Sequence, residues 1–169
     1  MKKLLLLFTI ILFCSCSTMR LVDKKGEAVD LGLSVLWADR NIGAEKPTDC
    51  GRSLAWSKKS NKKHCDVPSR MWGKEWHTPT EEQINEIISR CKWTWQENPR
   101  GYMVEGSTGN RIFFPFRDDE KIQIFGYWSA TRFLPNPQFC VYMYFNEKYP
   151  DTSYTPPFAV KYVRPVKAK

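Results

Sequence analysis

Six cysteines and two histidines carry most of the reactive chemistry available to this 169-residue chain. His64 and His77 are its only side chains that ordinarily change charge near neutral pH, so general acid–base work would fall to them. His77 stands beside Trp76 at the approach to a helix, where a packed or surface role outweighs catalysis. Cys50, His64 and Cys65 raise the question of zinc. Adjacent His and Cys are awkward ligands for one tetrahedral ion, and the spacing fits no paired-ligand pattern. There is no Gly-x-Ser-x-Gly elbow, no His-Glu-x-x-His and no Gly-rich phosphate loop. Calcium needs about six to eight oxygen ligands. Leu134-Pro135-Asn136-Pro137-Gln138 offers an amide on each side of Pro137 but no carboxylate, and Asp118, Asp119 and Glu120 are flanked by Arg117 and Lys121. The chain is expected to be non-catalytic, with no metal and no cofactor.

The remaining cysteine chemistry is disulfide formation. Cys50 with Cys65 is the most economical pair, closing a short polar loop with a gain of ~3 kcal/mol. Cys91 falls on a helix face and Cys140 on a strand, with a buried free thiol as the alternative to pairing for each.

Recognition chemistry is better supplied. Tyr142 and Tyr144 alternate on one strand face, with Phe139, Val141, Met143 and Phe145 on the other. Arg132, Phe133, Tyr149 and Tyr154 fall in the flanking loops. Tyr and Arg on a rigid scaffold give large contact area with few rotors to freeze. The expected ligand-binding residues are Arg132, Phe133, Asn136, Gln138, Tyr142 and Tyr144. Burial of both strand faces stands as the competing reading of the tyrosines.

The elements that must position these residues follow from periodicity. Thr78 as N-cap, Pro79 as first helical residue and Glu81 three residues after the cap predict a helix from Pro79 to Cys91. Ile84, Ile87, Ile88 and Cys91 form its apolar face. Strands are expected in the apolar segment from Val29 to Ala38, at Arg111–Phe116, within Ile122–Ser129, at Phe139–Asn146 and at Phe158–Val166. Asn41-Ile42-Gly43-Ala44 reads as a turn, and Lys58–Lys74 as a polar surface excursion. One helix ahead of several antiparallel strands and long loops makes an α+β domain. Trp37, Trp56, Trp93, Trp95 and Trp128 are assigned mainly to its core.

Lys2 and Lys3 precede an apolar run from Leu4 to Phe13, the order of a secretory signal. The run is half the roughly twenty residues that a spanning helix needs. Cys16, behind small Ser15, suits cleavage and acylation better than Cys14 behind bulky Phe13. The expected organisation is a signal peptide over 1–15, a lipidated Cys16 and polar tether over 16–27, and one domain over 28–169. Acyl chains such as palmitate would hold it on a membrane of the cell envelope, the outer membrane being the expected address. The formal charge is +8, and 24 basic residues still face 18 acidic ones once Lys2 and Lys3 are removed. That excess reads mainly as a solvated surface, and the chain carries no nucleic-acid motif.

Several short motifs together resemble a known family. They are Val29-Asp30-Leu31-Gly32-Leu33, Leu36-Trp37-Ala38, Asn41-Ile42-Gly43-Ala44, Leu54-Ala55-Trp56, Trp76-His77-Thr78-Pro79-Thr80, Cys91-Lys92-Trp93-Thr94-Trp95, Gly109 to Pro115, Tyr127 to Thr131 and Val163-Arg164-Pro165-Val166. In this order they are similar to the Fibrobacter succinogenes major paralogous domain of exported Bacteroidota lipoproteins. The resemblance implies a C-type-lectin-like fold, with two helices, a mixed and mostly antiparallel sheet and long loops. It also implies a ligand surface between Trp128 and Val163. The short charged segment from Arg117 to Lys121 and the Lys58–Lys74 excursion depart from the family pattern. The function so implied is non-catalytic binding of a glycan or protein at the envelope. The alternative is a structural or accessory subunit of an envelope assembly.

Overall fold

The computed structural model describes residues 24–56, 66–117 and 125–169. The signal peptide, Cys16, His64, Cys65 and the acidic run Asp118–Glu120 lie outside the described residues.

The chain begins with strands β1 (Ala28–Val29), β2 (Leu36–Ala38) and β3 (Leu54–Ala55), then helix α1 (Val67–Trp72), β4 (Trp76–His77) and helix α2 (Glu81–Arg90). Eight strands follow: β5 (Lys92–Glu97), β6 (Arg100–Glu105), β7 (Arg111–Pro115), β8 (Tyr127–Arg132), β9 (Cys140–Phe145), β10 (Pro150–Thr155), β11 (Val160–Lys161) and β12 (Val166–Lys167). The described residues are therefore α+β, with two helices and mostly antiparallel sheets. β12 returns between β2 and β4 in the order β1-β2-β12-β4, bringing both ends of the domain into one sheet. β5-β6-β7 and β10-β9-β8 are antiparallel meanders, and β3 pairs with β11.

Helix α2 starts two residues later than its sequence suggests. Its N-cap is Thr80, in a capping box with Gln83. Thr78 is unavailable as a cap because its backbone N–H and hydroxyl both donate to Asp66 (2.9 and 2.7 Å). The Pro79 carbonyl accepts from the Ala130 N–H (2.7 Å), holding the approach extended against β8. Ile84 and Ile87 are buried as their spacing requires, and Glu81 and Glu82 occupy the first turn.

The expected excursion contains α1. Asp66 caps it, with proline in the first turn where a missing N–H costs nothing. Pro68 and Trp72 are buried. The β5–β6 hairpin and β10 were also not expected as strands. The segment read as one last strand, Phe158–Val166, is instead two short strands, β11 and β12, joined through Val163-Arg164-Pro165.

The core has two parts, and β9 separates them. Met143 and Phe145 pack with Trp37, Phe114, Tyr127 and Tyr162. Cys140 and Tyr142 pack with Trp56, Trp72, Trp76 and Trp128. The clean alternation of β9 thus serves two apolar faces rather than one apolar and one wet face. Trp93 and Trp95 are only half-buried, lying against the first cluster.

A fully buried guanidinium joins the ends of the chain. Arg164 donates through Nε to Asn41 Oδ1 (2.7 Å), and through its two terminal nitrogens to the carbonyls of Ala38 (3.0 Å) and Phe113 (2.7 Å). It also lies 4.5 Å from the Phe114 ring centroid. Asn41 Nδ2 in turn donates to the Cys50 carbonyl and to Tyr127 Oη, which donates to the Pro115 carbonyl. Burial lowers the Arg164 pKa to about 10, so it remains cationic at neutral pH.

Candidate ligand-binding site

Two features adjoin on the side where β8 meets β3: an exposed aromatic band and an apolar cleft. The band grows from an irregularity in β8. Its register against β9 slips between Trp128 and Arg132, and such bulges re-aim side chains. Arg132 comes to lie over the Trp56 ring at 4.4 Å and donates to the Pro137 carbonyl (2.7 Å). Phe133 stacks on Tyr154 with centroids 4.1 Å apart and planes 10° from parallel. Phe139 meets the same tyrosine edge-on. Trp56 N–H donates to the Pro157 carbonyl, which brings the β10–β11 loop alongside. Leu134 and Phe158 stand 83% and 79% exposed in the two loops, with Tyr154 half exposed between them.

Of the residues expected to bind ligand, Arg132, Phe133, Asn136 and Gln138 gather in or beside the β8–β9 loop. Asn136 also has a local task, its Oδ1 accepting the Gln138 N–H. Tyr142 does not belong to an accessible surface. It is 3% exposed, with Trp128 against it edge-on and Lys161 Nζ 4.3 Å from its ring. Burial raises its pKa. The reason is tertiary: the face that alternation alone would leave wet packs into the cluster of Trp56, Trp72, Trp76 and Trp128, with Lys161 of β11 beside it. Tyr144 is half-buried further along β9, its hydroxyl 3.4 Å from Asp151 Oδ2. Tyr154, read as a loop residue, lies on β10 and contributes more surface than either.

The cleft was not foreseen. It has a volume of about 350 Å³ between β3, α1, β4 and β8. Trp56, Trp128, Leu54, Val67, Ala130 and Val163 supply the apolar lining. Asp66, Ser69, His77, Thr78 and Thr80 supply the polar groups. Both indole N–H groups are tied to backbone, Trp56 to the Ser129 carbonyl and Trp128 to that of Leu54, at 2.7 Å each. The sequence signal was present, since Trp56, His77 and Trp128 all fall in the motifs that carry the resemblance. What the sequence does not show is that β3 and β4 meet β8.

The cysteines show no pairing among the described residues. Cys50, Cys91 and Cys140 are free thiols, and the proposed partner of Cys50 lies outside the described residues. Burial raises all three pKa values, that of Cys140 to about 11. Among the described residues no cluster of three His, Cys, Asp or Glu side chains could hold a metal ion. No described helix is long and apolar enough to cross a membrane. Comparison with known protein families, curated proteins and solved structures finds no match.

Proposed function

We propose that this chain is a non-catalytic binding module of the cell envelope, lipid-anchored through Cys16, that recognises a protein through the aromatic band. One observation carries the reading: Leu134 and Phe158 stand almost fully in solvent on loops fastened to a stacked Phe133–Tyr154 pair. Large apolar side chains held exposed on an ordered scaffold mark an interaction surface. The band contains the mix of rigid aromatics and arginine that dominates binding energy. Leu134, an aliphatic group with no ring face to offer a sugar, favours a protein over a glycan. The C-type-lectin-like architecture implied by the sequence resemblance agrees with this placement, since it puts recognition between Trp128 and Val163.

The test is a binding screen of the soluble Ser17–Lys169 chain against envelope proteins and a glycan panel, with and without EDTA. The comparison is the Leu134→Ser/Phe158→Ser double variant. Both side chains are exposed, so the variant should fold normally. Loss of a protein ligand by about tenfold or more in the variant supports the proposal. A glycan ligand indifferent to the variant, or one abolished by EDTA, would contradict it.

A further inference from the structure

The cleft beside the band has an unusual hydrogen-bond balance. Asp66 faces four donors: Oδ2 accepts from the Ser69 N–H and hydroxyl, and Oδ1 from the Thr78 N–H and hydroxyl. The Ser69 hydroxyl is also within 2.6 Å of the Trp76 carbonyl. Thr80 accepts from the Gln83 N–H and bonds to the Glu82 carboxylate. The two indoles are committed to backbone carbonyls. The Ala130 and Trp128 N–H groups are used by Pro79 and Tyr162. The Ser69 and Thr78 hydroxyls have thus committed their protons and can only accept, whereas the His77 ring keeps a whole nitrogen. One ring nitrogen, Nδ1, lies 3.2 Å from the Thr78 carbonyl, which leaves Nε2.

A sugar entering this space would bring several hydroxyls and meet no hydroxyl of the cleft with a free proton to offer, so most of its oxygens would be desolvated without a donor. An apolar cavity of roughly 150 Å³ takes up benzene. At about 350 Å³ this cleft has room for one or two fused rings with a substituent. The geometry points to a binding site for one aromatic ring carrying a single hydrogen-bonding group, phenol-like or indole-like, with the ring between Trp56, Trp128 and Val67 and its polar group on His77 Nε2. Such a ring has two natural sources, a tyrosine or tryptophan side chain of a protein ligand and a free phenol or indole. The inference does not depend on the aromatic band, because it rests on the cleft's own lining.

Titration with p-cresol, indole, toluene, methyl glucoside and the N-acetyl amides of tyrosine and tryptophan tests it, read from the indole N–H resonances of Trp56 and Trp128. Saturable binding of p-cresol and indole is expected, with toluene about three- to tenfold weaker and methyl glucoside silent. Ala130→Leu should abolish binding by filling the cleft. His77→Ala should erase the preference of p-cresol over toluene while leaving toluene binding intact, a change that mere loss of structure does not produce. Binding of the amides as well as p-cresol identifies a side-chain anchor, and binding of p-cresol alone a small-molecule pocket. Methyl glucoside matching p-cresol, no saturation by p-cresol or indole, or affinity unchanged in Ala130→Leu while that variant stays folded, would overturn the proposal. Because the band residues are untouched throughout, failure here leaves the protein-binding proposal standing, and the reverse holds too.

Discussion

Two buried cations show how individual residues set the chain's stability. Arg164→Met keeps apolar bulk but strands Asn41 Oδ1 and the carbonyls of Ala38 and Phe113 without their donor. The expected loss is roughly 3–5 kcal/mol, read as a lowered urea midpoint. Lys161 acts in the opposite sense. It is 4% exposed, and burial lowers its pKa from 10.5 to about 8. Between those values the unfolded chain holds a proton that the folded one has released, so this group makes stability rise with pH across that window. Below about pH 8 its protonation in the folded state costs the full penalty. Cys140 works the other way. Its folded pKa of about 11 lies above the ordinary value of 9.0, so its stabilising contribution fades as pH climbs from 9 to 11. The difference in stability between wild type and Lys161→Met isolates the lysine. That difference should change by on the order of 2–3 kcal/mol from pH 8 to pH 10.5, in chemical denaturation at each pH. No change would mean that the ammonium reaches water.

Capping decides how the elements meet. Thr80→Ala removes the N-cap of α2 and should cost about 1 kcal/mol, whereas Thr78→Ala should act through Asp66 and loosen α1 from β4. Amide exchange separates them: protection falls along α2 in the first variant and at Ser69 and Trp76 in the second. The sequence made this helix legible through Ile84, Ile87 and Ile88, because period 3.6 is a local signal. It misplaced the cap because two threonines two residues apart each satisfy a local rule. Only the distant acceptor Asp66 and the donor Ala130 decide between them. The same limit hid α1, whose Asp66-Val67-Pro68 start reads as a loop until Trp72 is seen to be buried. Alternation in β9 was plain, but alternation records two faces and not what covers each. Tyr142 was therefore placed on a ligand face, whereas the competing reading holds: Trp128, Trp56 and Lys161 close over it. β3, β4, β11 and β12 are two residues each, too short for any periodicity to register.

Across the whole molecule, a rigid double core carries soft apolar groups outward at one place. β9 is packed on both sides, β8 is bent by its register slip, and the loops that follow β8 and β10 hold Leu134 and Phe158 in water. The candidate residues near Arg132 were legible because the chain concentrates Arg, Phe and Tyr there. The cleft was not, because its walls come from Leu54 to Val163 and meet only once β3 joins β11 and β4 joins β12. The central claim is that the band meets a protein in the envelope. It is tested most directly by photo-crosslinking in intact cells from a benzophenone side chain at position 134 or 158, with exposed Thr94 on β5 as control. The account predicts one discrete protein adduct from both band positions and none from position 94. No adduct, or the same diffuse adducts from all three positions, would contradict it.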